Sequence, residues 1–121
     1  MGTSKLAKRG GAWVGGASIF SGRPDPVWPV DQRNAKKLER IWESLKPWAG
    51  DLPSRPVLGY RGCLLRDRQS REWFAYENLV SLKARNVVIS RRDDNHQFEK
   101  LLLASAPRGV LPNSLIEGRK G

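Results

Sequence analysis

Apolar residues recur most clearly at steps of three and four over residues 32–46. Ala35, Leu38, Ile41, Trp42 and Leu45 fall on one side of a helical turn, while Arg33, Lys36, Lys37, Arg40 and Glu43 fall mostly elsewhere. Asp31 stands where an N-cap accepts a backbone N–H, Val30 before it can pack on Ala35, and Pro47 closes the helix. From Val57 to Arg66 the period changes to two: Leu58, Tyr60, Gly62 and Leu64 share one face, and Arg61, Cys63 and Leu65 the other. That pattern predicts a strand whose apolar side is the Leu58–Leu64 face. Shorter strands are predicted at 12–20, 73–76 and 87–90. Gly15 and Gly16 hint at a bulge in the first, and residues 78–86 carry no clear period. A second helix is expected over 94–105, with Asp94 as N-cap, Gln97 completing a capping box, and Phe98, Leu101, Leu102 and Ser105 inward.

The predicted order is β-α-β-β-β-α. A helix between the first two strands implies a crossover, after which three strands can follow as a meander. Both helices then cover one face of a small, mostly antiparallel sheet: an α+β two-layer sandwich. At 121 residues, with 39% hydrophobic content, the chain has room for one such core. Residues 12–116 are assigned to that single domain. Residues 1–11 read as a flexible leader. Residues 117–121 are set aside as a tail, because Ile116-Glu117-Gly118-Arg119 matches the target of a protease used to remove fusion tags.

Composition narrows the function classes. The longest uncharged stretch, Gly10 to Gly22, is too short and glycine-rich for a membrane span, and it lacks the Leu-rich centre of a secretory signal. The single cysteine, Cys63, excludes an internal disulfide and suits a reducing cytoplasm. Twenty-two Lys and Arg against twelve Asp and Glu leave a net charge of +10, which favours nucleic acid or an acidic protein as partner. Arg61, Arg66, Arg68, Arg85, Arg91 and Arg92 are the cations expected to make that contact collectively.

Ile19 to Trp28 reads Ile-Phe-Ser-Gly-Arg-Pro-Asp-Pro-Val-Trp, residues 58–62 read Leu-Gly-Tyr-Arg-Gly, and Phe98-Glu99 precedes Leu102 and an Ala104-Ser105-Ala106-Pro107 ending. On these segments, spanning about residues 17–107, the chain resembles a group of small uncharacterised bacterial proteins. That group pairs a Ser-Gly-Arg-Pro-Asn-Pro-x-Trp segment with Tyr-Arg-Gly; Asp25 stands here where it carries Asn. The resemblance implies a folded domain and brings no activity with it.

Residues 21–29 are the second candidate site. Pro24, Pro26 and Pro29 hold Arg23, Asp25 and Trp28 extended, so these three need little ordering to meet a partner, and Arg and Trp often anchor interfaces. The structural alternative is that Trp28 plugs the core and Arg23 pairs with an acid. Gly62 has the same two readings: close approach of a ligand, or accommodation of a bulky residue such as Trp42.

Catalysis finds few parts. Cys63 and His96 are the only possible thiol–imidazole pair, and nothing local activates the thiol. One Cys and one His serve zinc poorly, Asp93 and Asp94 read as cap residues, and no phosphate-loop or Gly-x-Ser-x-Gly pattern occurs. The reading is a non-enzymatic binding module with no metal or cofactor. Known RNA-binding signatures are absent, although Trp13, Trp28 and Trp48 lie near loops where they could stack on bases.

Overall fold

The computed structural model describes residues 13–19, 25–52 and 60–111. Among these, seven strands and two helices make an α+β fold: β1 (Trp13–Ala17), β2 (Val27–Pro29), α1 (Gln32–Ser44), β3 (Lys46–Pro47), β4 (Cys63–Asp67), β5 (Glu72–Tyr76), β6 (Leu79–Ala84), β7 (Val87–Arg92) and α2 (Gln97–Ala104). They form one sheet in the order β2-β1-β4-β5-β6-β7-β3, antiparallel at every pairing. The strands flanking α1 therefore lie at opposite edges of the sheet. The proposed leader and tail lie outside the described residues.

This order corrects the expected one. The proline-braced segment contributes β2 beside β1, and Pro47 joins β3 after α1 has already ended at Ser44. Prolines are tolerated there because an edge strand needs only one side of its backbone paired. β6 fills much of the stretch that showed no period. Two-residue loops join it to its neighbours, with Glu77 and Arg85 taking the left-handed backbone at φ 57° and 55°.

Alternate strand positions meet the helices. Ala17, Trp28, Cys63, Leu65, Trp73, Ala75 and Val80 are buried in one cluster with Ala35, Leu38 and Trp42 of α1 and Phe98, Leu102 and Leu103 of α2. Of the strand expected over 57–66, residues 57–59 lie outside the described residues, Tyr60 packs against the core as expected, and the faces differ from the expected ones only within Cys63–Asp67. Cys63 and Leu65 point into the core, and Leu64 points to the opposite face, half-buried. Gly62 causes the slip: its φ of 121° breaks the alternation, so Tyr60 and Leu64 do not continue one another. A side chain at Gly62 would overlap the Phe74 ring and come within 2.8 Å of the Ala75 carbonyl, so this glycine accommodates Phe74 and not Trp42.

No bulge interrupts β1, whose five residues pair in unbroken register with β4. Gly15 instead makes room for an indole: a Cβ there would lie 2.7 Å from Trp28 Nε1.

The helix caps follow from side-chain carboxylates. Asp31 Oδ1 accepts from the Asn34 N–H at 2.7 Å, as the sequence implies. At α2 the acceptor is Asp93 and not Asp94. Its two oxygens take the N–H groups of Gln97 (2.9 Å) and Phe98 (2.7 Å), while His96 holds the N-cap position in a left-handed conformation. Asp93 is buried and can reach both orphan donors; exposed Asp94 pairs with Arg92 at 3.0 Å.

Candidate functional site

Helix α1 separates its residue types completely. At about 100° per residue, Ala35, Leu38 and Trp42 point inward and are buried, while Arg33, Lys36, Lys37 and Arg40 share an arc of about 100° on the opposite side. All four are exposed, the arc contains no carboxylate, and none of the four makes an ion pair among the described residues. The stripe is about 10 Å long at helical rise. The cations expected from the sequence lie in or beside the strands and do not include these four. The signal was available: the same wheel that groups the core residues groups these opposite them.

A second basic region adjoins it. The registers Arg66↔Glu72, Glu72↔Lys83 and Ala84↔Val87 bring the β4–β5 and β6–β7 turns to one end of the sheet, where Arg68, Lys83 and Arg85 are exposed. Arg71 links this end to the helix, donating to Asp67 at 2.6 Å and to Glu39 of α1 at 3.2 Å. Burial pulls the Arg71 guanidinium down, but Asp67 and Glu39 outweigh it and hold the group above its ordinary value.

The remaining candidate arginines are otherwise engaged. Arg66 pairs with Glu72 at 2.9 Å, and Arg61 Nε donates to Ser18 Oγ at 3.1 Å. Arg91 lies on the helix-covered face, donating to the Trp42 carbonyl at 2.8 Å with its guanidinium 4.3 Å from that indole's ring centroid. Arg91 is therefore a brace on the end of α1. Of the six arginines expected to act collectively, Arg91 and Arg92 point to opposite faces of the sheet.

In the proline-braced segment, Arg23 lies outside the described residues. Asp25 Oδ1 accepts from the Ile19 N–H at 2.9 Å, tying the two limbs of the loop together. Trp28 is 2% exposed and its Nε1 donates to Ser105 Oγ at 3.0 Å, which leaves its ring no surface for a partner. Trp48 is half-buried, with its indole N–H on the Asp51 carbonyl, and Trp13 packs against Trp73 at 5.8 Å.

The chemistry-bearing residues gather elsewhere, inside. Glu99 is fully buried; Tyr60 donates its hydroxyl to Glu99 Oε2, and His96 Nδ1 lies 4.0 Å from Oε1. Burial, reinforced by Cys63 and Glu99, pushes the Tyr60 phenol far above its usual range. The buried Cys63 thiol thus belongs to the same cluster as the only histidine. Among the described residues no group of three or more His, Cys, Asp or Glu could hold a metal ion, and no helix is long and apolar enough to cross a membrane. The chain matches no family model, no curated protein and no solved structure.

Proposed function

We propose that this domain is a non-enzymatic module that binds a polyanion, nucleic acid in particular, through the outer arc of α1. One observation carries the reading: four exposed cations within two helical turns, with no carboxylate among them. A surface whose charges serve only solubility mixes both signs, as α1 does on its flanks at Glu39 and Glu43. The basic end of the sheet at Arg68, Lys83 and Arg85 extends the field, with Arg71 and Glu39 as the joint between them. The arrangement as two layers suits this role, since the sheet backs α1 and presents its outer arc to a partner. A cytoplasmic location fits both the partner and the single buried thiol. Burial of Trp28 removes the aromatic anchor from the rival reading, in which the loop at 21–29 recognises a ligand or protein.

The test is retention on heparin and on mixed-sequence RNA as salt rises. Four phosphate contacts give a slope of log K against log salt of about −3 for single strands and nearer −4 for duplex DNA. Replacing Arg33, Lys36, Lys37 and Arg40 together by Gln should remove most of that slope, whereas Arg91→Gln should leave it unchanged. A slope near zero for the parent protein, or one equal in the quadruple variant, refutes the reading.

A further inference from the structure

Strand β7 is paired along its whole inner side with β6, but on its outer side β3 covers only Arg91 and Arg92. The Trp48 N–H then reaches the Ser90 carbonyl at 3.1 Å. Backbone groups in an antiparallel strand point outward from alternate residues, so the N–H and carbonyl of Val88 face outward like those of Ser90. Among the described residues no backbone bond reaches them. The side chains here are equally uncovered: Val87 is 57%, Val88 61% and Ile89 43% exposed. Leu52, another exposed apolar side chain, lies beside Val88 in an open groove of about 370 Å³ that also includes Phe74, Leu79, Ser81, Lys83 and Glu72, whose carboxylate is held by Arg66 at 2.9 Å.

Natural sheets guard their edges with short strands, prolines and charges. The two outermost strands obey: β2 has three residues ending in Pro29, and β3 has two ending in Pro47. Val87-Val88-Ile89 has none of these protections and three β-branched side chains, the composition of an edge that accepts an added strand. Charge chooses the occupant. Exposed Lys46, Lys83 and Arg85 surround the edge, and a second copy would bring a further +10 to it. We infer that the β7 edge at 87–89 receives an extended segment of a partner protein, apolar at alternate positions and bounded by acidic residues. Val88 supplies the main-chain pairing, the groove takes one apolar side chain, and Lys83 and Arg85 take the acidic ends. This surface is separate from the arc of α1.

The experiment titrates the full, isotopically labelled chain with a short synthetic peptide of alternating Val and Thr carrying Glu at both ends, and with the same core carrying Lys. The acidic peptide should slow exchange of the Val88 amide and bind at least about tenfold more tightly than the basic one. Val88→Pro, which removes an outward N–H at an edge position, should abolish binding with the thermal midpoint little changed. Val88→Lys, with the backbone intact, should weaken it and serves if the proline variant does not fold. Equal binding of the two peptides, no change at Val88, a Val88 amide already protected in the free chain, or a dimer by sedimentation each overturns the inference.

Discussion

Arg91 and Arg92 are neighbours in β7 with the same side chain, and the pleat sends them to opposite faces of the sheet. Arg91 goes to the face that the helices cover, where it holds a main-chain carbonyl and lies on an indole. Arg92 goes to the opposite face and pairs with Asp94, the two side chains 49% and 63% exposed. Val27 and Trp28 repeat the division in β2: Val27 is 65% exposed and Trp28 is 2% exposed. Residue type therefore says little about role in this protein. Register decides it, and a cation counted toward a binding surface can be a structural brace one position away.

The largest effect should come from the β2 pair. Trp28→Ala empties a buried site and removes the indole's hydrogen bond to Ser105, and should cost about 3–5 kcal/mol in a thermal or denaturant melt. Val27→Ala should stay within about 0.5 kcal/mol. Similar costs for the two would break the contrast between faces. In β7, Arg91→Ala should cost about 2 kcal/mol, since a charged hydrogen bond to a carbonyl is lost along with the ring contact. Arg92→Ala, read in the same melts, should cost at most about 0.5 kcal/mol, as expected for an exposed pair.

A further effect, seen only at alkaline pH, concerns Tyr60. Its folded pKa lies above that of the unfolded chain, so above the unfolded value the unfolded state binds fewer protons and stability falls as pH rises. The loss should begin near pH 10 and approach about 1.4 kcal/mol per unit. Tyr60→Phe should remove that part of the slope, and phenolate absorbance should show one tyrosine ionising only with unfolding.

The helices were the most legible part of the sequence, because their period of three to four is set by burial against a core. Residues 32–46 and 94–105 were expected, and 32–44 and 97–104 are helical. Strands were harder where each face carries apolar residues. In 57–66 the alternation grouped Tyr60 with Leu64, but only Tyr60 packs on the core, since a left-handed glycine between them cannot be read from alternation. β2 and β3 were hidden by the prolines that suit them to edges. At α2, two adjacent aspartates offered two caps, and only tertiary position selects Asp93. The cations of α1 were visible as an outer face; that no ion pair reaches them among the described residues is a property of the folded surface.

The connection β2–α1–β3 has one more consequence. Six gaps of about 4.8 Å separate the outermost strands, about 29 Å if the sheet were flat. The thirteen residues of α1 rise about 20 Å, and the short links at either end make up the difference. The helix is thus a gauge for the width of the sheet. The meander from β4 to β7 can assemble from local hairpins, but both outer strands are placed by one rod fixed in length. Adding a helical turn, about 5.4 Å, would push Lys46 and Pro47 past Arg92 and Arg91 while leaving every contact within the meander untouched. Length drift in this family of shapes should therefore accumulate in the hairpin loops and be refused by the helix.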